Sequence, residues 1–162
     1  MPEKVFANTS VIQYLHSLEL MHILKTLFGK IYIPLEVKDE LDKGRMQGEN
    51  LPYLDSLDFV NVTNVKIGSL TEIVRDLGKG ETSVILLGME NPNSLLILDD
   101  GFARGIAKNL GLRITGTVGI LILAKENGII KAVKPYLDKL VDFGFYLSKE
   151  HRNIILKKAN EA

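Results

Sequence analysis

Residues 95–98, with the sequence LLIL, constrain the fold of this chain more than any other segment. A strand this short without a polar side chain is covered on both faces, as the inner strands of parallel sheets are. Three short apolar segments and one alternating segment predict four further strands, and the segments between them predict helices. Strands that alternate with helices form parallel βαβ units, so the predicted fold class is α/β with a central parallel sheet. The further strands are predicted at residues 5–7, 31–33, 59–65 (a possible edge strand) and 112–114.

The helices are predicted from apolar spacing and from the residue types that begin and end helices. Thr9 and Ser10 are residue types that cap a helix start, and Gly29 ends the first helix. Pro34 begins the second helix, where its missing N–H costs nothing. The polar stretch 44–50 is predicted to be a loop. Helices are predicted over residues 11–28, from 34 through 41, 70–77, 81–89, 102–110, 118–126, 135–142, and in a last amphipathic segment through 154–156.

No linker or repeat divides the chain, so residues 1–162 are predicted to form one domain. The 20 basic and 20 acidic side chains balance, and binding of nucleic acid would therefore have to come from a local patch. The absence of cysteine excludes disulfides and thiolate metal sites. The first residues lack a signal-peptide pattern, and no apolar run approaches the roughly 20 residues that cross a bilayer. We therefore expect a cytoplasmic protein with no membrane partner.

Polar residues follow three of the predicted strands, where ligands of open parallel sheets bind. They are residues 8–10, 99–100 and 115–117. Glu81 opens the helix before the all-apolar strand, and Glu40 lies on the helix after the second strand. Carboxylates gathered at one sheet edge repel each other unless a cation lies among them, and oxygen ligands suit Mg²⁺ or Mn²⁺. Such an ion binds phosphate and activates water.

Each acid also has a structural interpretation. Asp100 could cap the next helix, which for this residue is as good an explanation as metal binding. Glu81 in a first helical turn could simply complement the helix dipole, and Glu40 could lie on a solvated face. Asp99 needs a partner because it directly follows a buried strand. Their joint placement, more than any single residue, indicates a site.

Two basic side chains follow the acidic pair. Arg104 and Lys108 are four residues apart on one helix face, so they could contact RNA phosphates near the acids, although a solvated face also explains the pair. The histidines are interpreted as structural or surface residues: His16, His22 and His151.

Four segments in order resemble the motifs of the PIN-domain ribonuclease family. Residues 6–10 (FANTS) resemble the first motif, and 33–41 (IPLEVKDEL) resemble the second, with its acid at Glu40. Residues 78–85 (GKGETSVI) are similar to the third motif, with its acid at Glu81, and 96–104 (LILDDGFAR) to the fourth, with Asp99 and Asp100. The tail beyond residue 116 is similar to a prokaryotic PIN-like branch related to VapC-type toxins.

This resemblance implies a three-layer α/β/α sandwich and metal-dependent cleavage of RNA by an acidic Mg²⁺ or Mn²⁺ site. It implies Asn8, Glu40, Glu81 and Asp99 as catalytic residues, and Asn8, Glu81, Asp99 and Asp100 as metal ligands. It also implies a homodimer and an antitoxin partner. One residue departs from the pattern, since the family has an Asp at the position of Asn8, and the amide removes one negative charge.

Three hypotheses follow. The first is a PIN-type endoribonuclease, in which Asn8, Glu81 and Asp99 converge in one cleft with Glu40 at its rim and Thr117 nearby. The second is a catalytically silent PIN-like module that binds RNA or protein, which Asn8 favours. In the third, the acids are structural and the chain is a different small-molecule α/β protein, but the sequence contains no nucleotide-binding loop.

Overall fold

A five-stranded parallel sheet forms the centre of the protein in a computed structural model that describes residues 2–65 and 77–162. The strand order is β3-β2-β1-β4-β5, which confirms the edge position predicted for the third strand. Each neighbouring pair of strands is parallel. The strands are β1 (Lys4–Ala7), β2 (Ile31–Pro34), β3 (Val60–Thr63), β4 (Ser94–Ile97) and β5 (Arg113–Thr115).

Eight α-helices flank this sheet within the described part of the chain, which gives the expected three-layer α/β/α arrangement. A short 3₁₀ turn, Leu54–Ser56, precedes β3. The helices are α1 (Thr9–Ser17), α2 (His22–Phe28), α3 (Leu35–Met46), α4 (Lys79–Glu90), α5 (Gly101–Asn109), α6 (Thr117–Glu126), α7 (Lys134–Asp142) and α8 (Lys149–Lys158).

The inner strands β1 and β4 are buried, as the run at 95–98 predicts. Phe6 pairs with Leu96 and Ala7 pairs with Ile97, and each of these four side chains is at most 1% exposed. Apolar side chains therefore cover both faces of the sheet, and burial of this surface is the main driving force for folding.

The single helix predicted over residues 11–28 is wrong, because the structure has two helices there. The chain turns at Glu19, whose φ is +60°, between α1 and α2. Leu18 and Leu20 on either side of the turn are buried. Their apolar character continues the helical spacing through a segment that is not helical, which is why the sequence pattern failed. Gly29 ends α2 as predicted, with a φ of +75°.

The loop predicted from residue 44 is also wrong at its start, since α3 continues to Met46. Gly44 is buried in that helix, and a Cβ at this position would lie 2.6 Å from Leu51 Cδ1. The glycine therefore allows the following segment to pack closely, a role that a sequence reading mistakes for flexibility. Of the helix predicted at 70–77, residues 70–76 lie outside the described residues.

The order of the strands reverses between β1 and β4. The chain builds β1, β2 and β3 in one direction, and then returns to add β4 and β5 on the other side of β1. Ligands of open parallel sheets bind beyond the strand ends at such a reversal. The carboxyl ends of β1 and β4 therefore mark the place for a functional site.

In residues 2–65 and 77–162 no helix has both the length and the apolar character to span a bilayer.

Glu161 fastens the C-terminal segment to the start of α7. Its Oε2 accepts hydrogen bonds from Val133 N at 2.8 Å and Lys125 Nζ at 3.1 Å, and its Oε1 accepts one from Lys134 N at 3.0 Å. Burial raises the pKa of Glu161, but these hydrogen bonds and the positive charge of Lys125 outweigh it, so the pKa lies below its usual value. The carboxylate form is therefore the one that stabilises the fold.

We expect Glu161→Gln to lower the free energy of unfolding by about 1–2 kcal/mol near pH 7, because charge-assisted hydrogen bonds are lost. The stabilisation is present above the unfolded-state pKa of 4.5 and is lost as the pH falls through the lower folded-state pKa. The difference in the free energy of unfolding between the unaltered protein and Glu161→Gln should thus disappear at low pH, as measured by urea unfolding at several pH values. Glu3→Gln, at an exposed position, is the control; an equal effect of both changes would contradict the assignment.

Candidate acidic site at the strand ends

The pairing of β1 with β4 brings two of the expected site residues to the same edge of the sheet. Asn8 directly follows β1, and its backbone N–H donates a hydrogen bond of 3.1 Å to Ile97 O, the last residue of β4. Asp99 comes two residues after Ile97. The two side chains are thus placed by the register of the inner strands.

Asn8 presents a buried acceptor without a partner. The residue is 2% exposed, and its Oδ1 atom accepts no hydrogen bond from any residue in 2–65 or 77–162. Asn8 occupies the N-cap position of α1, yet its side chain does not cap the helix. A buried polar atom left in this state costs about 1–3 kcal/mol. The atom is therefore available to a ligand.

The carboxylate of Glu40 lies next to this acceptor, and Gly80 makes the approach possible. A Cβ at Gly80 would lie 2.9 Å from Asn8 Oδ1 and 3.0 Å from each carboxylate oxygen of Glu40. Thr9 Oγ1 and Gly80 N donate hydrogen bonds to the Glu40 carboxylate, the latter at 3.2 Å. Three oxygens therefore surround one point at the start of α4, a cradle that any side chain at position 80 would fill.

Asp99 has the partner that its position requires. Thr117 donates to it twice, from its backbone N to Oδ1 at 2.7 Å and from its Oγ1 to Oδ2 at 2.6 Å. Ser10 Oγ lies 3.5 Å from Oδ2. Thr117 is fully buried and begins α6, so the carboxylate is held at the N-terminus of that helix, where negative charge is favoured.

Thr9 and Ser10 link the two halves of the site. Both were expected to cap α1, but they lie inside its first turn, and their hydroxyls donate to Glu40 and Asp99. The expectation was wrong because their side chains meet acids from distant segments, which a local helix pattern does not show. One helical turn thus holds both acids.

Asp100 and Glu81 lie apart from this pair. Asp100 Oδ2 accepts a hydrogen bond of 2.8 Å from Ala103 N and so caps α5. Glu81 folds back over Gly78, where an added Cβ would meet its Oε2 at 2.5 Å. The two acids line a depression of their own together with Phe102. The structure therefore places Asn8 with Glu40, and Glu81 with Asp100, around the same end of the sheet.

Arg104 brings a positive charge beside Asp99. Its Nη1 donates to Leu98 O at 2.9 Å. A Cβ at Gly116 would lie 2.8 Å from Asp99 Oδ1 and 3.0 Å from Arg104 Nη1, so this glycine lets the two side chains approach the same point. Lys108 is exposed one turn further along α5.

Tyr14 is a site neighbour that the sequence reading missed. Burial, and then the negative charge of Asp99, raise the pKa of Tyr14 above 10.0. Its ring packs edge-on against Phe145, with centroids 5.2 Å apart. Position 14 is four residues after Ser10 and so shares its helix face, a signal that could have identified it.

The donor set suits a hard divalent cation in its chemistry. The buried Asn8 Oδ1 and the carboxylate oxygens of Glu40 around one point are the ligand types that Mg²⁺ and Mn²⁺ prefer. Among the described residues, no three acidic or histidine side chains are close enough together to hold one ion. Asn8 and Glu40 thus offer the right oxygen ligands for such an ion, but together they carry only one negative charge.

Two comparisons with known proteins bear on this site. The sequence profile of a family described as PIN domain matches residues 4–161, and this range includes every residue of the acidic site. No curated protein matched the chain.

The coupling between Tyr14 and Asp99 is directly measurable. We expect Asp99→Asn to lower the pKa of Tyr14, because the negative charge that disfavours tyrosinate is removed; burial, the larger cause, stays in place and keeps the pKa above 10.0. Ultraviolet titration, with Tyr14→Phe to identify the Tyr14 signal, gives the measurement. Asp58→Asn should leave it unchanged, since Asp58 is not among the causes of the shift; no change with Asp99→Asn would place the two groups apart.

Proposed function

Because this chain belongs to the PIN-domain family, a family with a nuclease-type fold, we propose that it is a metal-dependent endoribonuclease. The observation that carries the proposal is the unpaired, buried Oδ1 of Asn8 facing the Glu40 carboxylate. This pair lies where the strand order reverses, at the usual ligand position of such sheets. The proposed substrate is RNA, and the proposed place of action is the cytoplasm.

In this proposal Asn8 and Glu40 hold Mg²⁺ or Mn²⁺, and Asp99, Glu81 and Asp100 add negative charge around it, directly or through water. The ion would supply an activated water and neutralise charge that develops on the phosphate. Thr117 and Ser10 orient the Asp99 carboxylate, and Thr9 and Gly80 orient that of Glu40. Fixed orientation matters because a site held in place needs no reorganisation during the reaction.

Arg104 and Lys108 are the proposed phosphate contacts on α5. Arg104 donates a hydrogen bond to Leu98 O, one residue beyond the end of β4, so its guanidinium stays near Asp99. A positive charge next to the acids would bind the phosphate backbone that they alone would repel. This local arrangement supplies the attraction that a net charge of zero does not.

A silent PIN-like module is the second candidate, and Asn8 is the observation that favours it. The amide keeps the oxygen of an aspartate but removes its charge. Attraction between opposite charges a few Å apart is worth about 1 kcal/mol in water and about 4 kcal/mol at an effective dielectric of 20. Loss of that charge weakens metal binding at the site. We therefore propose that the protein cleaves RNA weakly and with a preference for Mn²⁺, and that it is not completely inactive.

The proposal includes partners as well. We propose that the enzyme is the toxin of a toxin–antitoxin pair that acts as a homodimer, on the strength of the motifs that resemble VapC-type proteins. The exposed aromatic side chain of Phe143 on the C-terminal segment is available for contact with another molecule.

Restoring the missing charge is the main test. We expect Asn8→Asp to strengthen Mn²⁺ binding by about one to three orders of magnitude and to raise the cleavage rate, because a carboxylate adds attraction of that size. Asp99→Asn should abolish cleavage. Calorimetric titration with Mn²⁺ and cleavage of an RNA panel with and without EDTA give the two readouts.

Circular dichroism controls for folding of both variants. If Asn8→Asp changes neither metal affinity nor rate, Asn8 is not a metal ligand. RNA binding without cleavage in both the natural and the Asn8→Asp protein would support the silent module.

Gly80 offers an independent test of the cradle. We expect Gly80→Ala to weaken Mn²⁺ binding about tenfold or more, which corresponds to about 1.4 kcal/mol, because its Cβ would press on oxygens of Asn8 and Glu40 at 2.9–3.0 Å. Gly105→Ala is the matched control: it also replaces a helical glycine, but its Cβ meets nothing within 4 Å. Equal Mn²⁺ affinity of the two variants would contradict a metal site at this point.

A further inference from the structure

A groove starts at Asp99 and continues along the C-terminal segment. One side consists of the end of β5 and the first turns of α6, and the other of Phe145, Tyr146 and α8. Its volume is about 450 Å³, within the range of about 300–1,000 Å³ that small-ligand sites span. We call this the C-terminal groove; its volume has room for a ligand of nucleotide size, and Asp99 of the acidic site is part of its lining.

The groove combines an apolar floor with cations at its walls. Ile114, Val118 and Ile122 contribute apolar lining, while Arg104 and Lys158 contribute positive charge. Neither cation has an ion-pair partner within residues 2–65 and 77–162. Both oxygens of the nearby Asp99 already accept hydrogen bonds from Thr117. The positive charge at the walls is therefore available to an anionic ligand.

Tyr146 is the most unusual residue of the groove, because it is an aromatic residue that is 86% exposed. An aromatic ring in water gains little unless a flat partner covers it, and aromatic side chains are the usual stacking surfaces for unpaired bases. The preceding residue, Phe145, packs edge-on against Tyr14, whose pKa responds to the charge of Asp99. This contact keeps the backbone next to Tyr146 close to the acidic site.

We propose that the C-terminal groove binds one unpaired nucleotide of a single-stranded RNA next to the phosphate that is cleaved. The base stacks on Tyr146, and Lys158 and Arg104 contact the flanking phosphates. This inference rests on the proposed function, since it assigns the strand path to that same site. It makes Tyr146 and Lys158 substrate-binding residues that no motif of the sequence indicates.

The combination of features favours a single strand over a duplex or a protein helix. A paired base offers no face to a single exposed ring, because its faces are stacked within the duplex. A protein helix is about 10 Å wide and would need an extended apolar surface, whereas two unpaired cations flank this groove. Charge complementarity to a phosphate backbone decides between these occupants.

The test measures RNA binding separately from cleavage. A fluorescently labelled single-stranded oligoribonucleotide is titrated with the full chain in EDTA, with a duplex of the same sequence as competitor. We expect Tyr146→Ala to weaken binding about tenfold, whereas Tyr146→Phe, which keeps the stacking face, stays within about twofold. The duplex should compete poorly.

Lys158 and Lys157 form a matched pair, since both are exposed lysines in α8 but only Lys158 lines the groove. Lys158→Ala should weaken binding and lower the slope of log affinity against log salt by about 0.7, the value for one phosphate contact on a single strand. Lys157→Ala should change neither. Thermal melting confirms that each variant is folded.

The outcomes separate the inference from the proposed function. RNA binding that depends on Tyr146 and Lys158, without any cleavage, would support RNA binding in the C-terminal groove and contradict the proposed ribonuclease activity. If Tyr146→Ala and Lys158→Ala change neither RNA cleavage nor RNA binding, the proposed role of the groove is wrong and the proposed ribonuclease activity stands. Failure to bind any single strand, equal effects of the two lysines, or a groove that binds only protein would each overturn the inference.

Discussion

The parallel pairing of β1 with β4 is the constraint on which the rest of the site depends. It opposes Ala7 to Ile97, and in doing so carries Asn8 and Asp99 to one edge of the sheet. A shift of register by one residue would reverse the faces of a strand and separate the two. The burial of Phe6 and Leu96 on these strands prevents that shift, so the packing of the core determines where Asn8 and Asp99 lie.

The sequence predicted the sheet well because its signals there are local. The apolar run at 95–98 predicted a strand that is buried on both faces. Asp99 after it required a hydrogen-bond partner, which Thr117 provides. The break at Glu19 was missed because buried Leu18 and Leu20 imitate a helix. The contacts of Thr9 and Ser10 with acids were missed because they join segments that are 31 and 89 residues apart.

The spacing of the acidic residues along the chain also did not predict that they form separate groups in the structure. The order of motifs suggests one cluster, whereas Asp100 caps α5 and Glu81 lies over Gly78 at the start of α4. In the sequence nothing distinguishes the roles of Gly80 and Gly116 from those of other glycines. In three dimensions each is a point where side chains from other elements meet, and only the folded backbone reveals that use.

The first turn of α1 holds Glu40 through Thr9 and Asp99 through Ser10. Helix ends fray more readily than helix centres. Unwinding of this turn would remove one hydrogen bond from each carboxylate at the same time, whereas Gly80 N would still hold Glu40 and Thr117 would still hold Asp99. Local melting of one turn therefore loosens both halves of the site together without releasing either of them.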